Sequence, residues 1–130
     1  MPHLIVEYSD NLDDVLELAP LFEQVHELLI GLALFPTGGI RSRARRIEHY
    51  RYADGLLDYA GIHVELKLSA ARAPELRQEI GQKVFELIRT YCAPLRQARP
   101  YLALSMEVSL LQPPVFFNDN NLHERFASVP

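Results

Sequence analysis

Two groupings of residues in this 130-residue sequence are of types that can do chemistry. The first is a single proline, Pro2, in the opening stretch "MPHLIVEY". Met1 is commonly removed when the second residue is small or proline, and Pro2 would then be the amino terminus. Its nitrogen would be a secondary amine able to carry or take a proton, rather than an amide. Proline is also tolerated at the first residue of a strand for purely conformational reasons, so Pro2 alone decides nothing. The second grouping is arginine. Arg41, Arg43, Arg45 and Arg46 crowd "GGIRSRARR", and Arg72 stands in "SAARAPEL". In an extended chain Arg41, Arg43 and Arg45 share one face. Such a row can be a solvated strand edge that discourages pairing, or a grip for anions. Arg72 falls at a strand-to-helix junction, where the gathered N–H groups of a helix start favour an anion over a cation. It therefore calls for a carboxylate partner unless it is merely solvated.

Taken together these residues suggest a device. A general base works best with a pKa near the working pH, and a free prolyl amine begins above that. Burial and neighbouring guanidinium charges both disfavour the ammonium form and lower its pKa. The same arginines would hold a substrate carrying two or three carboxylates. Only Lys67 and Lys83 are lysines, against eleven arginines, and arginine is the better bidentate partner for carboxylates.

The remaining candidates are weaker. His3, His26, His49, His63 and His123 show no zinc-ligand spacing, so no metal is expected. No phosphate-binding glycine loop or nucleophile elbow is present. Glu7 and Asp10 could serve as acids, although polar residues at a strand end usually face solvent. The formal net charge of −4 argues against a nucleic-acid binder. A single cysteine, Cys92, excludes an internal disulfide, fits a reducing compartment and falls in an expected helix as a buried structural thiol. With no leader and no apolar run near the ~18 residues of a membrane span, a cytoplasmic protein without membrane contact is expected.

The elements that must position these residues follow from periodicity. "PHLIVE" reads as a strand. Val15, Leu18, Leu21, Phe22, Val25, Leu28 and Leu29 recur at helical spacing and predict a helix over about 13–31, with Pro20 in its first turn or at a kink. "FPTGG" breaks the chain, "IRSRARRIEHYRYA" is a second extended stretch and "DGLLD" a turn. The order then repeats: "YAGIHVELKLS" is a strand, and a helix begins near Pro74. Leu76, Ile80, Val84, Leu87, Ile88, Tyr91 and Leu95 form that helix's stripe. "RPYLALSMEVSLL" is a last strand that "QPP" ends, and a short mixed tail follows. The pattern is an α+β chain, β-α-β-β-α-β, in one domain over 1–130. It has two pseudo-repeats of about 1–58 and 59–130, with right-handed parallel crossovers. Four strands would form one sheet with both helices on one face. The bare sheet face is expected to be apolar and covered by another subunit, making a homo-oligomer.

The stretches "MPHLIVEYSDN", "FPTGGIRSR", "YADGLLDYAGIHVELKL", "AARAPELRQ", "LALSMEV" and "NNLHERF" together resemble the 5-carboxymethyl-2-hydroxymuconate isomerases of the tautomerase superfamily, nearly end to end. The resemblance implies the duplicated β-α-β tautomerase fold, a homotrimer, and no cofactor or metal. It implies a keto–enol isomerisation of 5-carboxymethyl-2-hydroxymuconate, a polycarboxylate, in the homoprotocatechuate branch of aromatic catabolism. The superfamily's amino-terminal proline base corresponds to Pro2, and its arginines to Arg72 and Arg41, with Arg43 close behind as a substrate-binding residue. The second half has no counterpart of Pro2, so one site per subunit is implied. Two other readings remain open from the residues: a phenylpyruvate-type tautomerase, or a ferredoxin-like module that binds a small ligand without chemistry. The module has no use for a free prolyl terminus, which separates it from the enzymes.

Overall fold

The computed structural model describes residues 1–112 and 117–126. Its regular elements are strand β1 (His3–Ser9), helix α1 (Leu18–Gly31), strands β2 (Arg41–Ile47) and β3 (Ala60–Ser69), helix α2 (Pro74–Cys92) and strand β4 (Leu102–Leu111). Short 3₁₀ turns cover Asp10–Leu12, Thr37–Gly39, Ala93–Gln97 and Asn121–Phe126. The strands form one sheet in the order β2-β1-β3-β4. β1 runs parallel to β2 and β3 parallel to β4, while β1 and β3 meet antiparallel at the centre. Each half is thus a β-α-β crossover, and the halves join through their first strands.

One sheet face and the two helices make the core. Leu4, Val6, Ile62, Val64, Leu66 and Leu68 alternate along β1 and β3. They pack with Leu21, Val25 and Leu29 of α1 and with Ile80, Val84, Ile88 and Cys92 of α2. These helical residues recur at four-residue intervals, the spacing that keeps one face inward. Burying each of the larger side chains contributes about 1.5–3 kcal/mol. α2 starts on Pro74, where a missing N–H costs nothing. Its approach to β4 is close: a Cβ on Gly81 would stand 2.9 Å from Val108 Cγ2. Burial raises the Cys92 thiol to about 11, consistent with a structural role.

Three expectations need correction. The first helix starts at Leu18 rather than near residue 13, because the polar run 10–14 is spent on a 3₁₀ turn and loop; Pro20 lies in the first turn. The second strand ends at Ile47 rather than running to residue 53. Ala53 and Gly55 adopt φ of 52° and 70°, left-handed values that no strand accommodates, and Tyr52 folds its hydroxyl over Gly61. Leu95 is buried as expected, but on the 3₁₀ turn after α2.

The third correction concerns the sheet face away from the helices, which is charged rather than apolar. The strand registers place His3 beside Arg41 and Lys67, Ile5 beside Arg43 and Glu65, and Glu7 beside Arg45 and His63. On that face His63 bridges Ser105 Oγ (2.7 Å) and Glu107 Oε1 (3.1 Å), and Ser109 donates to Glu65 at 2.9 Å. The apolar residues of β1 and β3 were divided between faces from sequence, whereas all but Ile5 turn toward the helices. The proline pair expected to end β4, Pro113 and Pro114, lies outside the described residues.

Candidate active site

Pro2 is buried at the tip of β1. Its carbonyl accepts a hydrogen bond from the backbone N–H of Arg41 at 3.1 Å. That bond exists because the chain reverses just before β2: Gly39 N–H donates to Pro36 O (3.0 Å) and Ile40 N–H to Thr37 O (3.2 Å). The "PTGG" sequence therefore delivers Arg41 beside the chain start. A Cβ on Gly39 would stand 2.9 Å from Met1 Cγ, so the Met1 side chain lies over this residue.

The Arg41 guanidinium is the most informative group here. Its Nε and Nη2 are buried and have no hydrogen-bond partner among the described residues. A buried unsatisfied donor costs about 1–3 kcal/mol, more when charged, so two on one guanidinium mark a place where an anion belongs. Arg45 and Arg46 differ. Arg45 pairs with Glu7 at 3.5 Å; Arg46 pairs with Asp13 (2.7 Å), Glu48 (2.9 Å) and Asp10 (3.7 Å), all on the surface. Arg43 is exposed and has no ion pair among the described residues. The arginine row thus splits into a satisfied half at the far end of β2 and an open half beside Pro2. Glu7 and Asp10, weighed from sequence as acids, are taken up by Arg45, Arg46 and the Tyr50 hydroxyl.

Arg72 reaches the same end of the sheet from the second half. The turn after β3 is held by Arg72 N–H to Ser69 O (3.3 Å) and Ala71 N–H to Ser69 Oγ (3.2 Å). The guanidinium stacks 4.5 Å above the Phe35 ring and donates through Nη2 to Leu34 O. Its Nε is buried without a partner among the described residues. Arg72 is thus a half-buried, fixed cation rather than a solvated loop side chain.

These cations act on the chain start. The Met1 amino group is held below its ordinary pKa, first by burial and then by the Arg72 charge. The buried His3 imidazole is pushed down to about 4 by burial, then by Arg41, Arg43, the chain terminus and Lys67. At neutral pH the site is therefore a cationic corner with a neutral histidine, where a polyanion is favoured and an ammonium is not.

The structure brings Pro2, Arg41 and Arg72 to one end of the sheet, with Arg43 one residue pair farther along the charged face. Sequence reasoning missed His3, the Leu34–Phe35 seat of Arg72, and a cover from the far end of the chain, Asn120 and His123. Only the row of small residues in "PTGG" signalled that something packs closely there. Among the described residues no group of side chains is arranged to hold a metal ion, and no helix is long and apolar enough to cross a membrane.

Residues 2–126 match the model of the family described as 5-carboxymethyl-2-hydroxymuconate isomerase. An Escherichia coli protein named 5-carboxymethyl-2-hydroxymuconate Delta-isomerase is 44% identical over 126 residues, 97% of this chain and 99% of that protein. A 5-carboxymethyl-2-hydroxymuconate isomerase from Deinococcus radiodurans R1 superposes with a TM-score of 0.88 at 32% identity, covering 98% of this chain and 95% of that one. A further solved 5-carboxymethyl-2-hydroxymuconate delta-isomerase gives 0.89 at 27% identity, covering 100% and 95%.

Proposed function

The chain belongs to the 5-carboxymethyl-2-hydroxymuconate isomerase family and is an isomerase, and from that premise we propose that the amine of Pro2, exposed by removal of Met1, is its general base. The observation that supports this most is a buried Pro2 whose carbonyl takes the Arg41 backbone N–H, beside a guanidinium with buried N–H groups that have no partner among the described residues. A polycarboxylate would satisfy them.

The substrate has a dienol and three carboxylates. Arg41 and Arg72 each take a carboxylate, with Arg43 at the rim. Charge-assisted hydrogen bonds of this kind are worth about 1.5–3 kcal/mol. Pro2 nitrogen accepts the 2-hydroxyl proton, and the oxygen's electrons form a carbonyl. The prolyl ammonium then returns the proton to a distal carbon as the double bond shifts. Proton and electrons balance within one molecule, so no cofactor is required. The transient dienolate is stabilised by the same fixed guanidiniums. The burial and the Arg72 charge that lower the Met1 amine would act in the same direction on a prolyl amine one residue on. A phenylpyruvate-type tautomerase reading is separated by substrate: a monocarboxylate engages only one arginine. The test is ultraviolet turnover of 5-carboxymethyl-2-hydroxymuconate and of phenylpyruvate by the same sample; preference for phenylpyruvate would replace the present substrate.

The working unit is a homotrimer in this proposal, with one site per subunit, residues 1–130 as one domain of two pseudo-repeats, and a cytoplasmic setting. Two surface features support assembly. Leu56 and Leu57 are 79% and 59% exposed, and a hollow of about 720 Å³ lies along the free edge of β4, lined by Phe85, Met106, Val108 and Leu110. Exposed apolar surface of this kind marks an interface.

A further inference from the structure

The turn Asn121–Phe126 lies on the Thr37–Gly39 turn, more than 80 residues away in sequence. Asn120 makes the junction. Its Oδ1 accepts the Leu122 N–H at 2.9 Å and its Nδ2 donates to Gly38 O at 2.8 Å, which fixes the orientation of the amide. Nδ2 also stands 3.4 Å from His123 Nε2. The backbone of His123 presses on the glycine pair: a Cβ on Gly38 would stand 2.8 Å from its N and 2.9 Å from its Cα. The ring continues over Gly39, where Cε1 would stand 3.6 Å from an added Cβ. Gly39 is the residue that also receives the Met1 side chain. Removal of Met1 therefore opens space over Gly39 with His123 as one wall.

We propose that Asn120 and His123 are positioning residues for the isomerisation, clamping the Gly38–Gly39 turn and through it the Arg41–Pro2 pair. The inference rests on the assignment of Pro2 and Arg41 to the site. A glycine pair is the least restrained dipeptide in the chain, and two residues after it the Arg41 N–H must meet Pro2 O. The clamp supplies the restraint that the local sequence lacks. It also explains why Gly38 carries no side chain, and why a remote tail segment sits over the glycine turn.

The experiment is a double-mutant cycle on the Met1-processed enzyme, with Asn120→Ala, Gly38→Ala and the pair. Each single change is expected to lower kcat/KM about five- to tenfold, the effect of one hydrogen bond in the transition state. The acidic limb of the pH profile should move to higher pH, because a loosened turn lets water reach the chain start, where burial is the first cause of the lowered amine pKa. The double variant should lose no more than the worse single one, since both break the same clamp. Unchanged kinetics and pH profile in Asn120→Ala, or losses that multiply in the double variant, would overturn the proposal. Should Gly38→Ala fail to fold, His123→Ala replaces it in the cycle with the same expectations. If the wild-type enzyme with Pro2 exposed does not turn over the hydroxymuconate, the function reading fails on its own. The clamp is then read from amide hydrogen exchange at Gly39 and Ile40, faster in Asn120→Ala if it exists and unchanged if it does not.

Discussion

The backbone N–H of Arg41 donates to the carbonyl of Pro2 at 3.1 Å. This bond ties the residue proposed as base to the residue proposed as carboxylate anchor. On the same residue the guanidinium Nε and Nη2 are buried without a partner among the described residues.

Arg41→Met should therefore separate activity from stability. Loss of one charge-assisted bond to substrate lowers kcat/KM by about ten- to 150-fold. The melting temperature should stay level or rise, because two buried unsatisfied N–H groups disappear. Arg45→Ala and Arg46→Ala, whose carboxylate partners are already in the protein, should keep kcat/KM within about twofold. Steady-state kinetics and calorimetry on the three variants check this, and equal losses in all three would disperse the site.

Arg72→Ala should lose on both counts. The guanidinium contacts Phe35 and the Leu34 carbonyl in the unliganded protein, together worth about 1–2 kcal/mol. The melting temperature should fall by several degrees as kcat/KM drops. Arg72→Lys should recover less activity than stability, since an ammonium cannot present two parallel donors. Full kinetic rescue by lysine would remove the bidentate role.

His3 gives stability a definite pH dependence. Its folded pKa, about 4, lies below the ordinary imidazole value of 6.5. Between those values the unfolded chain binds the proton and the folded one does not, so ΔG of unfolding falls as pH drops from 6.5 to 4. Above 6.5 the contribution is complete and flat; below 4 it is fully lost. Urea titrations across pH 4–7 should show this slope, and His3→Asn should flatten it. An equal slope in His3→Asn would assign it to other groups.

Assembly is checked by sedimentation equilibrium at low micromolar concentration. A trimer is expected, and Leu57→Asp should weaken it. A stable monomer with full activity would contradict the trimeric unit.

Much of this architecture was legible in the chain because period and punctuation agree. The i, i+4 spacing of Ile80, Val84 and Ile88 and the alternation of Ile62, Val64, Leu66 and Leu68 each have one solution. Pro2, Arg41 and Arg72 were legible as chemical types with family likeness. What was not legible depends on distant partners. Nothing local in "SAARAPEL" says that Phe35 seats Arg72, and nothing in "NNLHERF" says that it covers Gly38. The charged sheet face was misread because composition does not reveal which way a strand's apolar residues turn. Arg45 and Arg46 look like Arg41 in sequence and differ in their exposure and in the carboxylates that the fold brings to them.

The central claim is that a free prolyl amine performs the reaction, and one measurement addresses it most directly. The protein is prepared with a cleavable extension ahead of Pro2, and isomerisation of 5-carboxymethyl-2-hydroxymuconate is followed before and after cleavage, with intact mass confirming the terminus. Activity should be reduced by at least about a hundredfold while Pro2 is an amide, since positioned acid–base catalysis contributes about 10²–10⁴-fold, and be complete once its nitrogen is free. The same kcat/KM before and after cleavage would contradict that claim.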